Sequence, residues 1–197
     1  MPGLGAIVAI FQAGRILLTK RDDFEVWCLP GGMVEEGESI GAAAVREAGE
    51  ETGLELELTR LVGVYSRPPV RAAVNHLILF AARPTGGTPR LAEGEVIEAD
   101  YFDPEALPEP MLWGHREMIG DALAGVGGST AKSFNRPWPF ARSMTRQELY
   151  ELRDRSGLPR HAFNTRHFRP EDPMDQTVEV APGTWPTRST DSDERIS

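Results

Sequence analysis

Apolar and polar positions along the chain follow two different periods. Residues 5–11 and 15–20 are β-rich runs with Gln12, Ala13 and Gly14 between them, a pattern that predicts a hairpin. A short strand is expected over 27–29, where Pro30 ends the run. The period then changes. Ile40, Ala44, Val45 and Ala48 recur at helical spacing, Ser39 is suited to the N-cap, and Gly53 closes the helix. Strands are expected again over 56–64 and 74–82, joined by the basic, proline-stiffened segment 65–71.

Further on, residues 84–89 (PTGGTP) read as a turn, followed by an acid-rich segment that contains Glu93, Glu95 and Glu98. A second amphipathic helix is expected over 115–123, with Met118, Ile119, Ala122 and Leu123 inward. Residues 125–129 have the composition of a linker. Over 145–155, Leu149 and Leu152 keep helical spacing, Thr145 and Glu148 match a capping box, and Gly157 is the stop.

Charge divides the chain into three parts. The net charge of −9 argues against non-specific nucleic-acid binding by the whole molecule. It is uneven: residues 1–126 carry 10 basic and 20 acidic side chains, 127–170 carry 9 and 3, and 171–197 carry 2 and 7. The expected organisation is therefore a main domain over 1–126, a basic, aromatic, partly helical extension over 127–170, and an acidic tail over 171–197 that is largely disordered. The basic stretch is expected to dock on the acidic body of the domain.

No apolar run approaches the roughly 20 residues that a bilayer-crossing helix needs, so no membrane partner is expected. The N-terminal apolar run lacks preceding basic residues and reads as a first strand, not a signal peptide. Cys28 is the only cysteine, which excludes an intrachain disulfide and a CxxC zinc site. It reads as a buried structural thiol, and the expected compartment is the cytoplasm. His76 and His115 stand alone and read as packing or surface residues. The sequence leaves a homodimer open.

Residues 31–54 hold the candidate chemistry. Glu47, Glu50 and Glu51 stand at i, i+3 and i+4 of the predicted helix and share an arc of about 100°. Like charges at this spacing cost the helix on the order of 0.2–0.5 kcal/mol each, and Gly49 adds about 1 kcal/mol. Three Glu on a helix would otherwise read as a solvated face. A hard divalent cation, Mg²⁺ or Mn²⁺, turns the cost into a site, because it prefers oxygen ligands.

The spacing of the whole stretch is more specific. Gly32, five residues, Glu38, seven residues, Arg46-Glu47-Ala48, one residue, Glu50-Glu51, one residue and Gly53-Leu54 resemble the signature box of the Nudix hydrolases at every fixed position. Ala48 is smaller than the family's usual aliphatic residue. The resemblance implies an α/β fold, an α/β/α sandwich with a mixed β-sheet, here with a C-terminal extension. It also implies metal-dependent hydrolysis of a nucleoside diphosphate linked to another group.

By the same resemblance, Glu47, Glu50 and Glu51 bind the metal with help from the Gly31 carbonyl, and Arg46 orients the carboxylates. Gly32, Glu38 and Gly53 stabilise the turns of the box. Glu93 or Glu95 supplies the further acid that many members take from a loop in this region, whereas Glu98 falls in the next strand. An aromatic strand end and a short helix are implied over 101–108.

ADP-ribose or a nucleotide sugar is the favoured substrate, followed by nucleoside triphosphates and NADH. A proline at about the place of Pro68 or Pro69 occurs in some ADP-ribose-cleaving members, and Arg67 and Arg71 suit a phosphate. Residues 134–143 contain the PWPF core of NADH-cleaving members. Here it lies far beyond the box and without zinc-ribbon cysteines, so its aromatics are expected to dock the extension. A Nudix fold kept as a non-catalytic ligand-sensing module is the alternative of another class, but no box carboxylate is missing.

Overall fold

The structure, a computed structural model, describes residues 3–66, 74–128, 130–135, 139–141, 144–169 and 175–180. Arg67, Pro68, Pro69 and Arg71 lie outside the described residues, as do Pro137 and Trp138 and all of 171–197 except 175–180. No helix among the described residues is long and apolar enough to cross a membrane.

The hairpin forms as expected, from β1 (Gly3–Gln12) and β2 (Arg15–Arg21). β3 (Trp27–Cys28) pairs with β2, and β4 (Gly31–Met33) pairs with β1. The chain then forms α1 (Ile40–Thr52), the long strands β5 (Leu54–Ser66) and β6 (Val74–Gly87), β7 (Val96–Phe102) and α2 (His115–Leu123). The main sheet path runs β3-β2-β1-β6-β5 and continues through β8 (Thr130–Asn135) and β9 (Asp175–Val180), with β7 paired to β2. β1 lies parallel to β6 and β5 parallel to β8, while the other pairs are antiparallel. The sheet is therefore mixed, as an α/β/α sandwich requires.

β1 is buried on both faces, which explains its nearly unbroken apolar sequence. Ala6, Val8 and Ile10 pack on one face with Leu17 and Ala82 against Ala43, Ala44 and Ala48 of α1. Ile7 and Ala9 pack on the other with Leu18 and Leu79 against Met118, Ile119 and Ala122 of α2. Ala48 is fully buried in the first layer, so its small side chain lets α1 lie close to the sheet. His115 has a packing role: its Nδ1 accepts from Leu29 N at 3.0 Å. The Ser66 hydroxyl lies 3.0 Å from His76 Nδ1.

Three local expectations need correction. Residues 84–87 are not a turn. They extend β6, Pro84 stands opposite Leu56, and the register shifts between Glu55 and Leu56. A bulge is one of the places where a sheet accepts proline, and this one overrides the turn composition. No helix forms over 103–108. The Asp103 side chain accepts from Glu105 N at 2.9 Å and its carbonyl from Ala106 N at 2.9 Å, so a local turn outcompetes a helix between two prolines. Within the acidic tail, residues 175–180 form β9 on β8, where alternating Thr177, Val178 and Val180 suit a strand.

Gly125 and Gly128 adopt left-handed conformations, and Gly128 N donates to the Val62 carbonyl at 3.2 Å. β8 begins at Thr130. The basic stretch then forms α3 (Arg146–Arg155) and α4 (Arg160–His167). Thr145 and Glu148 make the full capping box. Phe140, the last residue of the PWPF core, stacks 6.1 Å from Phe163 and so helps dock α4.

Candidate active site

The box helix is fastened at both ends by its own sequence. Ser39 accepts from Ala42 N at 3.1 Å, satisfying one of the free donors of the first turn. Gly53 ends the helix at φ 74°, and its N–H donates to the Gly49 carbonyl at 2.8 Å. Glycine adopts that conformation without strain, and here a Cβ would also collide with the Thr88 carbonyl.

Arg46 ties the preceding loop to the helix. Its Nε and Nη2 donate to the two oxygens of Glu38 at 3.1 and 2.7 Å, and Nη2 also donates to the Met33 carbonyl at 3.1 Å. Glu38 in turn accepts from Glu35 N at 2.8 Å. The Arg46 guanidinium, helped by that N–H, holds the Glu38 carboxyl below its ordinary range. Arg46 Nη1 reaches Glu47 at 3.1 Å and Glu50 at 3.3 Å.

The three helix carboxylates occupy different environments. Glu51 is half-buried and accepts from Gly31 N at 3.1 Å. Burial pushes its carboxyl up to about 7, against the Gly31 N–H and the nearby Arg21 charge, with Glu47 and Glu95 pushing the same way as burial. Glu47 lies against Gly32 so closely that a Cβ there would overlap its carboxylate. Burial raises its carboxyl too; Arg46 opposes this, while Glu50 and Glu95 add to it. Glu50 is exposed and turned toward Arg46.

Of the two loop acids, Glu95 brings its charge to the helix, acting on both Glu47 and Glu51. Glu93 is exposed, and among the described residues its carboxylate has no hydrogen-bond or ion-pair partner. Glu98 belongs to β7 and pairs with Lys20 at 3.4 Å.

The carboxylates do not converge as the helical spacing suggested they would. Among the described residues, no three Asp, Glu, His or Cys side chains gather in a metal-holding group. Glu50 has the Arg46 guanidinium as its partner and Glu51 the Gly31 N–H. The donor set nevertheless fits a hard divalent cation. All donors are oxygens, and the Glu95 charge adds to the cost of ionising both Glu47 and Glu51, which a bound cation would relieve.

Arg21 is a further member that sequence reasoning missed. Its Nε and Nη2 clamp Asp23 at 2.9 and 2.6 Å, and its charge acts on Glu51. Arg21-Asp22-Asp23 reads as an ordinary charged turn after a strand, and only the folded sheet brings it beside the box.

Comparison with known proteins agrees with this geometry. The NUDIX domain family matches residues 1–121. An ADP-ribose pyrophosphatase of Methanocaldococcus jannaschii is 35% identical over 132 residues, 64% of this chain and 76% of that protein. The 8-oxo-dGDP phosphatase NUDT18 of Homo sapiens is 35% identical over 113 residues, 53% of this chain and 34% of that protein. Among solved structures, an ADP-ribose pyrophosphatase from Streptococcus suis superposes with a TM-score of 0.55 at 27% identity, covering 68% of this chain and 98% of that one. With the box helix, its capped ends and the sandwich around it, these matches make the chain a member of the Nudix family of hydrolases.

Proposed function

We propose that the protein hydrolyses the diphosphate bond of a nucleoside diphosphate linked to a further group, with ADP-ribose or a nucleotide sugar as the favoured substrate. The observation that carries the reading is the geometry of the box itself: Glu51 accepts from Gly31 N at 3.1 Å, Glu47 lies against Gly32, and Arg46 reaches Glu38, Glu47 and Glu50. Support for the substrate comes from the ADP-ribose pyrophosphatases among the similar proteins, one of which this chain matches over 98% of that protein's length.

In this reading Glu47, Glu50 and Glu51, with the Gly31 carbonyl, hold Mg²⁺ or Mn²⁺, and Glu50 leaves Arg46 to do so. A cation held there would supply charge neutralisation at the phosphate and a more acidic water. Arg46 and Glu38 hold the loop and helix in register, Gly32 leaves room for Glu47, and Gly53 ends the helix. Glu95, not Glu93, accepts the proton of the attacking water. One water oxygen bonds to phosphorus as the bond to the leaving phosphate oxygen breaks, so ADP-ribose would yield AMP and ribose 5-phosphate. Arg67, Pro68 and Arg71 are proposed to contact the substrate. Residues 1–126 form the catalytic unit, with 127–170 as an extension of it and 171–197 as a tail.

The test is Glu50→Gln against the parent protein, with Mg²⁺ or Mn²⁺ and a panel of ADP-ribose, nucleotide sugars, 8-oxo-dGTP and NADH. The parent should turn over at least one of these, and the variant should be slower by about 10²-fold or more. An inactive parent, or equal turnover by both, would remove the catalytic role of the box. The similarity to a putative 8-oxo-dGTP diphosphatase of Bacillus subtilis supports a second substrate class, so preference for 8-oxo-dGTP over ADP-ribose would reverse the substrate order while keeping the mechanism.

A further inference from the structure

The two helices beyond the sheet grip one short turn, residues 22–25 between β2 and β3. Tyr150 Oη donates to Asp23 Oδ2 at 3.0 Å, and the Arg153 guanidinium donates to the Asp23 carbonyl. Arg160 Nη1 reaches the Asp22 carbonyl at 2.6 Å and the Asp22 carboxylate at 2.8 Å. His161 Nδ1 lies 2.8 Å from Glu25 Oε2. Phe24 sits between the Tyr150 ring, edge-on at 5.9 Å, and the Phe163 ring, stacked at 6.5 Å, with the Arg153 guanidinium 5.7 Å from its centre. Every residue of the turn is therefore held by α3 or α4.

The same turn reaches the active site on its other side. Asp22 N–H donates to the Glu95 carbonyl at 2.8 Å, and Asp23 clamps Arg21. Apart from the ladder pairing of buried Val96 with Arg21 where β7 begins, the Glu95 loop bonds within itself, through Glu95 N and Val96 N to the Ala92 carbonyl at 3.3 and 3.1 Å. Glu93, Gly94 and Glu95 are all exposed. A loop with so few buried contacts opens easily, and its place depends on whatever anchors it.

We infer that α3 and α4 form a built-in strap on the active site: by fixing residues 22–25 they hold the Glu95 loop and Arg21 in place beside α1, with Tyr150 and Arg160 as positioning residues. This rests on the role of Glu95 proposed above. A purely structural cap over Phe24 would alter stability alone, whereas a strap alters the step that Glu95 performs. Misplacement of a reacting group by about 1 Å can cost on the order of 10²-fold in rate, so a small slackening of the turn is measurable.

The experiment compares the full-length parent with Tyr150→Phe and with the double variant Tyr150→Phe/Arg160→Gln, each with Glu95 intact and with Glu95→Gln. Turnover is measured on ADP-ribose and 8-oxo-dGTP, and amide hydrogen exchange over residues 90–98. Tyr150→Phe removes one hydroxyl and keeps the ring packing, so it remains informative should the double variant fail to fold. With Glu95 intact, kcat should fall by about tenfold in the double variant while KM stays within about twofold. In the Glu95→Gln background the same changes should cost almost nothing, and amides 92–96 should exchange several-fold faster without the strap contacts. Unchanged kcat with unchanged exchange, or an equal loss in both Glu95 backgrounds, overturns the inference. Should the parent act on neither of these nor on the nucleotide sugars and NADH of the wider panel, the catalytic reading fails by itself and the exchange of 92–96 alone decides whether the strap holds the loop.

Discussion

Glu51 illustrates how one side chain carries opposing demands. Its carboxyl is raised from 4.5 to about 7 by burial, although it accepts a backbone N–H and faces Arg21. Between about pH 4.5 and 7 the folded chain therefore binds more protons than the unfolded one, and stability falls as pH rises through that window. The loss should be on the order of 2 kcal/mol for protein kept in a chelator. Urea unfolding at pH 5 and pH 8 measures it, and Glu51→Gln should flatten the difference. An equal slope in parent and variant would place the titrating group elsewhere. Cys28 shows burial in the opposite role. Its thiol is pushed up to about 12, mainly by desolvation, so it stays protonated and serves as packing beside Thr19.

Among the elements, α1 carries two intrinsic costs, a mid-helix glycine and clustered like charges, and its buried apolar contacts are three small alanines. Its ends matter correspondingly more. Ser39→Ala should destabilise the protein by about 1 kcal/mol, read from the shift in denaturation midpoint. A shift indistinguishable from zero would mean that Arg46 and Glu38 hold the first turn without the cap. The Ser39 cap was legible in the sequence because it spans a single turn of helix, whereas the pairing of Glu38 with Arg46 follows from the path of the loop before the helix. The direction of Glu50 was not legible either. Helical spacing places its Cα, but its rotamer follows from a choice between partners.

For the whole molecule, the extension is part of the sheet as well as a strap. β8 covers an edge of β5, and α3 with α4 covers Phe24. A chain ended after residue 126 would expose both. Its melting temperature should drop by about 5 °C, from loss of roughly 1–2 kcal/mol of aromatic burial, and the bared β5 edge should promote association. Differential scanning calorimetry together with light scattering checks this. An unshifted transition in a monodisperse product would show the extension to be energetically separate. The charge division at about residue 127 suggested docking on the acidic body, and α3 and α4 do dock there. It did not reveal that the docking surface is four residues of one turn.

What the sequence by itself determined is the box: its turns, its caps, the arc of its carboxylates and the family they belong to. These depend on interactions within some two dozen consecutive residues, where helix geometry leaves little choice. Only the tertiary structure decided that Arg21 faces Glu51, that Asp22 holds Glu95, and that Tyr150 reaches back 127 residues to Asp23. Those contacts join segments whose separation along the chain is closed by sheet order and helix packing. No local pattern of residues encodes them, because each partner alone is an ordinary charged or aromatic surface side chain.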